Sequence, residues 1–179
     1  MTAAPPRVLV AGIGNIFFSD DAFGLEVVAR LMRRPVPDGV AVADFGIRGL
    51  HLAHELLYGY DTLVLVDALA HGEVPGTVTV LEIDTDPDGD APVGPDDDDG
   101  HAEGVLDAHS IDPTVVLATL HQLGGDVGQA LVVGCEPVTC APGMGLSDEV
   151  DRAVDLALET IDPLLAELVS CPRQSEVAR

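Results

Sequence analysis

The chain has no lysine and no tryptophan, and only 3% of its 179 residues are aromatic. All eight basic residues are arginines, set against 31 acids, for a formal net charge of −23. That balance leaves no basic face and so excludes ordinary nucleic-acid or anionic-membrane binding. A basic polypeptide segment or a cation is the partner such a field favours. With so few aromatics the core must be aliphatic, which is feasible because 47% of the residues are hydrophobic. Cysteine is scarce: Cys135, Cys140 and Cys171 form neither a C-x-x-C pair nor an even framework. Reduced thiols in a cytosolic protein are the expectation. No apolar run approaches the ~20 residues of a membrane span. MTAAPPR leads straight into a strand-like run, with no secretory h-region. A cytoplasmic location is expected.

What is present is the alternation of an α/β domain. The length suits one domain able to bury a core without disulfides or metal staples. Short β-branched runs at 7–12, 39–46, 61–69, 77–83 and 129–137 read as strands. Helical periodicity falls at 22–34, 49–57, 113–123 and 147–169, with Pro163 the one residue that could break the last helix. Ser19 or Asp20 is placed to cap the first helix, and Arg30, Arg33 and Arg34 are expected in its last turns. Asp112 followed by Pro113 is an N-cap and N1 proline. The expected fold is a single-domain α/β architecture: an open, mainly parallel twisted sheet with helices on both faces. The domain spans 1–170, with a frayed tail at 171–179.

An acidic loop insertion at about 84–104 interrupts the pattern. Ten acids and no arginine lie between Glu82 and Glu103. A solvated loop is the favoured reading. Asp84, Asp86, Asp88 and Gly89 open like a calcium loop, but position twelve is Pro95 where a bidentate Glu is required. A calcium hand is rejected.

In an open parallel sheet, ligands bind beyond the carboxyl ends of the strands. Asp20 and Asp21 follow the first strand, Asp44 ends the second, Asp67 ends the third and Glu136 follows the last, while His109 precedes a helix. Each has a bland alternative: Asp20 as an N-cap, Asp21 as a dipole complement, Asp44 as a turn former. Asp67 is hardest to dismiss, because an acid ending VLVLV must find a partner or a cation. The glycines of GIGNIFFSDDAFG do not hold phosphate. Position 17 is Phe17 where a dinucleotide fingerprint needs glycine, two carboxylates follow, and a Walker lysine does not exist. Gly12 and Gly14 are read instead as letting another chain approach closely. Two carboxylates and an imidazole would suit nickel or zinc with positions left open, and Asp21, Asp67 and His109 form the best triplet. On these grounds a metal site and a structural carboxylate cluster stand level.

The segment G-I-G-N-x-x-x-x-D-D-A-x-G, Gly12 to Gly24, resembles the N-terminal signature of the nickel–iron hydrogenase maturation endopeptidases. VLVDAL at 64–69, DAHSIDPTVVL at 107–117 and VVGCEP at 132–137 resemble that family in the same order, over about residues 7–168. The resemblance implies a peptidase that removes a C-terminal extension from the hydrogenase large-subunit precursor after nickel insertion. It implies metal contact through Asp21, Asp67 and His109, catalytic roles for Asp21, Asp67 and Asp44, and nickel supplied by the precursor. Departures are DFGIRG at 44–49 where D-G-G-T-x-G is common, Ala22 where glycine is common, and Asp21 where some members carry Glu. No Ser–His–Asp arrangement presents itself, so no nucleophile is assigned. A non-catalytic nickel-checking chaperone, a metal-assisted peptidase for another precursor, and a nucleotide binder are the rival readings.

Overall fold

The computed structural model describes residues 7–85 and 112–170. Five strands form one sheet in the order β2-β1-β3-β5-β4. They are β1 (Val8–Ile13), β2 (Val40–Gly46), β3 (Thr62–Ala68), β4 (Val78–Ile83) and β5 (Gln129–Cys135). The four strands from β2 to β5 in that order run parallel, and β4 closes the edge antiparallel to β5. The helices are α1 (Phe23–Leu31), α2 (Gly49–Leu56), α3 (Pro113–Gln122) and α4 (Asp148–Ser170). The single α/β domain of mostly parallel sheet is as expected.

Strand alternation sorts the core into two layers. Val8, Val10, Val64, Val66 and Val133 meet α1 and α4 on one side. Leu9, Ala11, Leu63, Leu65 and Val132 meet α2 and α3 on the other. β1 and β3 are buried along nearly their whole length, which explains their unbroken apolar runs. α3 starts as the sequence dictates: Asp112 Oδ1 accepts the Thr114 N–H at 2.8 Å, with proline in the first turn. The chain returns from α3 directly into β5, so the start of α3 lies at the carboxyl edge of the sheet.

Three local expectations are corrected. α1 ends at Leu31, which leaves Arg33 and Arg34 beyond it and only Arg30 in its last turn. Pro35 disfavours helical geometry in the residue before it. α4 runs unbroken through Pro163. Pro163 and Glu159, whose carbonyl loses its partner there, lie on the exposed face, where water substitutes. Neither Ser19 nor Asp20 caps α1, whose N-cap position is Ala22, without a side-chain bond. The acidic insertion from residue 86 onward, His109, and the tail 171–179 lie outside the described residues.

Candidate active site

Between β1 and α1 the chain makes a 3-10 turn, Ser19–Ala22, which places two adjacent aspartates at the carboxyl edge of the sheet. Both are buried, yet their surroundings differ. Asp20 is fully enclosed, at 0% exposure, and its carboxylate accepts four hydrogen bonds. Oδ2 takes the Val138 N–H at 2.9 Å, the Thr139 N–H at 3.0 Å and the Ser147 hydroxyl at 3.0 Å; Oδ1 takes the Ser147 N–H at 2.7 Å. Its cap expectation is thereby overturned in an instructive way. Asp20 serves the loop between β5 and α4, up to the residue that precedes α4, rather than the helix that follows it.

Asp21 points elsewhere. Its Oδ2 accepts the Asn15 N–H at 2.6 Å, and its charge reaches Asp67 at the end of β3. Asp67 is 3% exposed, and Oδ1 accepts the N–H of the next residue, Ala68, at 2.8 Å. Burial, and secondarily the neighbouring Asp21 charge, push the Asp67 carboxyl well above the usual range, against the smaller opposing pull of the Ala68 N–H. A buried acid beside a second acid is stabilised by a proton or by a cation.

Glu136, just after β5, is accounted for differently. It accepts the His71 N–H at 2.7 Å and the Gly72 N–H at 3.3 Å. Those backbone bonds, His71 first, hold its carboxyl below the usual range. It fastens the turn after β3. Asp44 is exposed at the end of β2, level with Gly12 of β1. It alternates with Val40 and Val42 toward the α1 side, whereas Asp67 alternates with Leu63 and Leu65 toward the α2 side. The structure thus brings Asp21 and Asp67 together, and strand alternation sets Asp44 on the face of the sheet opposite to Asp67. Among the described residues no three His, Cys, Asp or Glu side chains group as a metal site. A groove of about 780 Å³ along the outside of α2 contains none of the predicted aspartates.

The glycines of the opening motif also have a different task from the one expected. A Cβ on Gly12 would meet Val28 at 2.4 Å and the Gly24 carbonyl at 2.6 Å. On Gly14, at φ +130°, it would lie 1.8 Å from the Asp21 carbonyl; on Gly24, 2.0 Å from that of Val66. They make room for the chain's own backbone, and not for another chain. Their close packing is what seats Asp21 beside β3.

Fold and site define a class first: an open α/β protein with an acid-lined carboxyl edge. Relatives narrow it. The chain is 33% identical over 158 residues to a Methanocaldococcus jannaschii protein described as a hydrogenase maturation protease, covering 86% of this chain and 93% of that one. It is 29% identical to the hydrogenase 2 maturation protease of Escherichia coli, over 94% and 98% of the two chains. Among solved structures, the hydrogenase maturating endopeptidase HybD from E. coli superposes with a TM-score of 0.68 at 28% identity, over 90% and 93% of the chains. No protein-family model matches. The chain belongs to the hydrogenase maturation protease family. No described helix is long and apolar enough to cross a membrane.

Proposed function

We propose that this protein is the endopeptidase that removes the C-terminal extension of a nickel–iron hydrogenase large-subunit precursor once nickel is in place. The nickel arrives as part of the substrate, and Asp21, Asp67 and His109 are its contacts. The observation that carries this reading is the buried Asp21–Asp67 pair, in which burial and the neighbouring Asp21 charge push the Asp67 carboxyl up. An incoming cation stabilises two neighbouring buried carboxylates at once, so docking is strongest with a metal-loaded precursor. Nickel there serves as the recognition element, and it, or a carboxylate beside it, would polarise the scissile carbonyl or activate water. Asp21 is held for this by the Asn15 N–H, and Asp20 keeps the turn from shifting. Asp44, exposed at the same edge, suits contact with the substrate polypeptide rather than with its metal. A cytoplasmic site of action fits a precursor still being assembled.

The test mixes the purified protein with nickel-loaded and nickel-free precursor. Only the loaded form is expected to shorten, and Asp67→Ala or His109→Ala is expected to abolish shortening while thermal unfolding stays cooperative. Cleavage that persists in both variants overturns the site assignment. Binding of the loaded precursor without any cleavage makes the protein a nickel-checking chaperone instead.

A further inference from the structure

The loop that carries Asp21 also carries two large apolar side chains that face solvent, Ile16 at 47% and Phe17 at 59% exposure. Across from them, in the loop between β5 and α4, Met144 is 75% exposed. Ile16 and Met144 line a groove of about 430 Å³ with Ala22, Leu25 and Leu146, within the range of ligand clefts. Its charged walls are Glu26 and Asp151, both bonded to Arg30, which also pairs with Asp155. The two lining carboxylates share one guanidinium, itself also paired with Asp155, which leaves that wall negative.

The two loops are locked together. Phe18 and Gly143 form a parallel bridge. The Ser19 N–H donates to the Gly143 carbonyl at 2.9 Å, and the Gly143 N–H to the Phe17 carbonyl at 2.9 Å. The Ser19 hydroxyl donates to the Ala141 carbonyl at 3.0 Å, and Asp20 ties in three further positions. Ser19 is held at φ +50°, a conformation that a non-glycine residue adopts at a cost. Apolar side chains on a pinned loop stay exposed instead of folding inward, and such a patch marks a contact surface.

We propose that this groove docks the extended polypeptide segment next to the scissile bond of the substrate, taking an apolar side chain between Ile16 and Met144 and a basic one against Glu26 and Asp151. Continuity names the occupant. Ala22, on the groove wall, directly follows Asp21, so a polypeptide whose metal rests on Asp21 must pass over or beside the groove. The negative wall sets the preference for a basic neighbour. The inference rests on the proposed cleavage reaction, and the experiment separates the two.

Binding of nickel-loaded precursor is measured by biolayer interferometry, and cleavage by gel mobility, for the parent, Ile16→Asp and Met144→Asp. Losing burial of one such side chain corresponds to about tenfold or more in Kd and KM. With kcat within about twofold of the parent, the loss is one of docking and not of chemistry. Both side chains are exposed, and Met144→Asp alone suffices if Ile16→Asp fails to fold. Variants that bind and cut like the parent overturn the docking site and leave the cleavage reading intact. Variants that lose binding to a precursor the parent holds but never cuts overturn the cleavage reading and uphold the docking site. A parent that neither binds nor cuts overturns both. Sedimentation showing a parent dimer that the variants dissolve assigns the groove to a second copy and overturns the inference.

Discussion

Asp20→Ala removes a carboxylate that accepts three backbone N–H groups and a hydroxyl. Hydrogen bonds to a charged group contribute about 1.5–3 kcal/mol each, so four taken at face value would overshoot the stability of a whole domain. Two corrections apply. Val138 and Thr139 are exposed and Ser147 half-buried, so water can reach donors that lose Asp20. The variant also escapes the cost of burying a charge. What remains is on the order of 3 kcal/mol, the upper end for a single hydrogen bond to a charged group. In a domain of this size about 3 kcal/mol lowers Tm by roughly 6–12 °C. The assay is thermal unfolding followed by far-ultraviolet circular dichroism, with Asp21→Ala as the comparison. Asp21 lies one position on but is read as a substrate-facing group, so its variant is expected to unfold close to the parent. An Asp20→Ala shift below about 2 °C, or equal shifts for both variants, would refute the division of labour between the two aspartates.

Asp67→Asn is expected to unfold at a higher temperature than the parent at neutral pH while losing cleavage. The raised carboxyl means that the folded state binds a proton the unfolded chain has released, so parent stability is full in acid and falls as pH rises through the raised value. Asparagine does not ionise, and the gap should close in acid; a gap independent of pH would contradict the assignment. Gly24→Ala is expected to cost several-fold in soluble yield and to lower Tm, because its Cβ would lie 2.0 Å from the Val66 carbonyl and 2.5 Å from that of Ile13, both rigid backbone. Unchanged yield and Tm would show that β3 and α1 can part without loss.

Much of the fold was legible because its signals are local. Apolar runs bounded by glycine and proline marked β1, β3 and β5, and Asp112–Pro113 marked the start of α3 to the residue. The end of α1 and the continuity of α4 were less so. A helix stops where its next bonds fail, and Pro35 had more weight than the arginines while Pro163, on an exposed face, had less. The opening motif identified the family before any coordinates because its residue types recur at fixed spacing.

By itself, then, the sequence determined the α/β alternation, the aliphatic core, the acidic field and the family signature. Those are properties of neighbouring residues and of composition. Only the tertiary structure decided that β4, whose alternating pattern suits an edge strand, runs antiparallel to β5, that Glu136 fastens the turn at His71, and that Gly14 and Gly24 seat the chain's own backbone. It alone separated Asp20 from Asp21. Adjacent in the chain and identical in type, they differ because the donors that claim Asp20 come from residues 118 to 127 positions away, a distance over which no local pattern carries information.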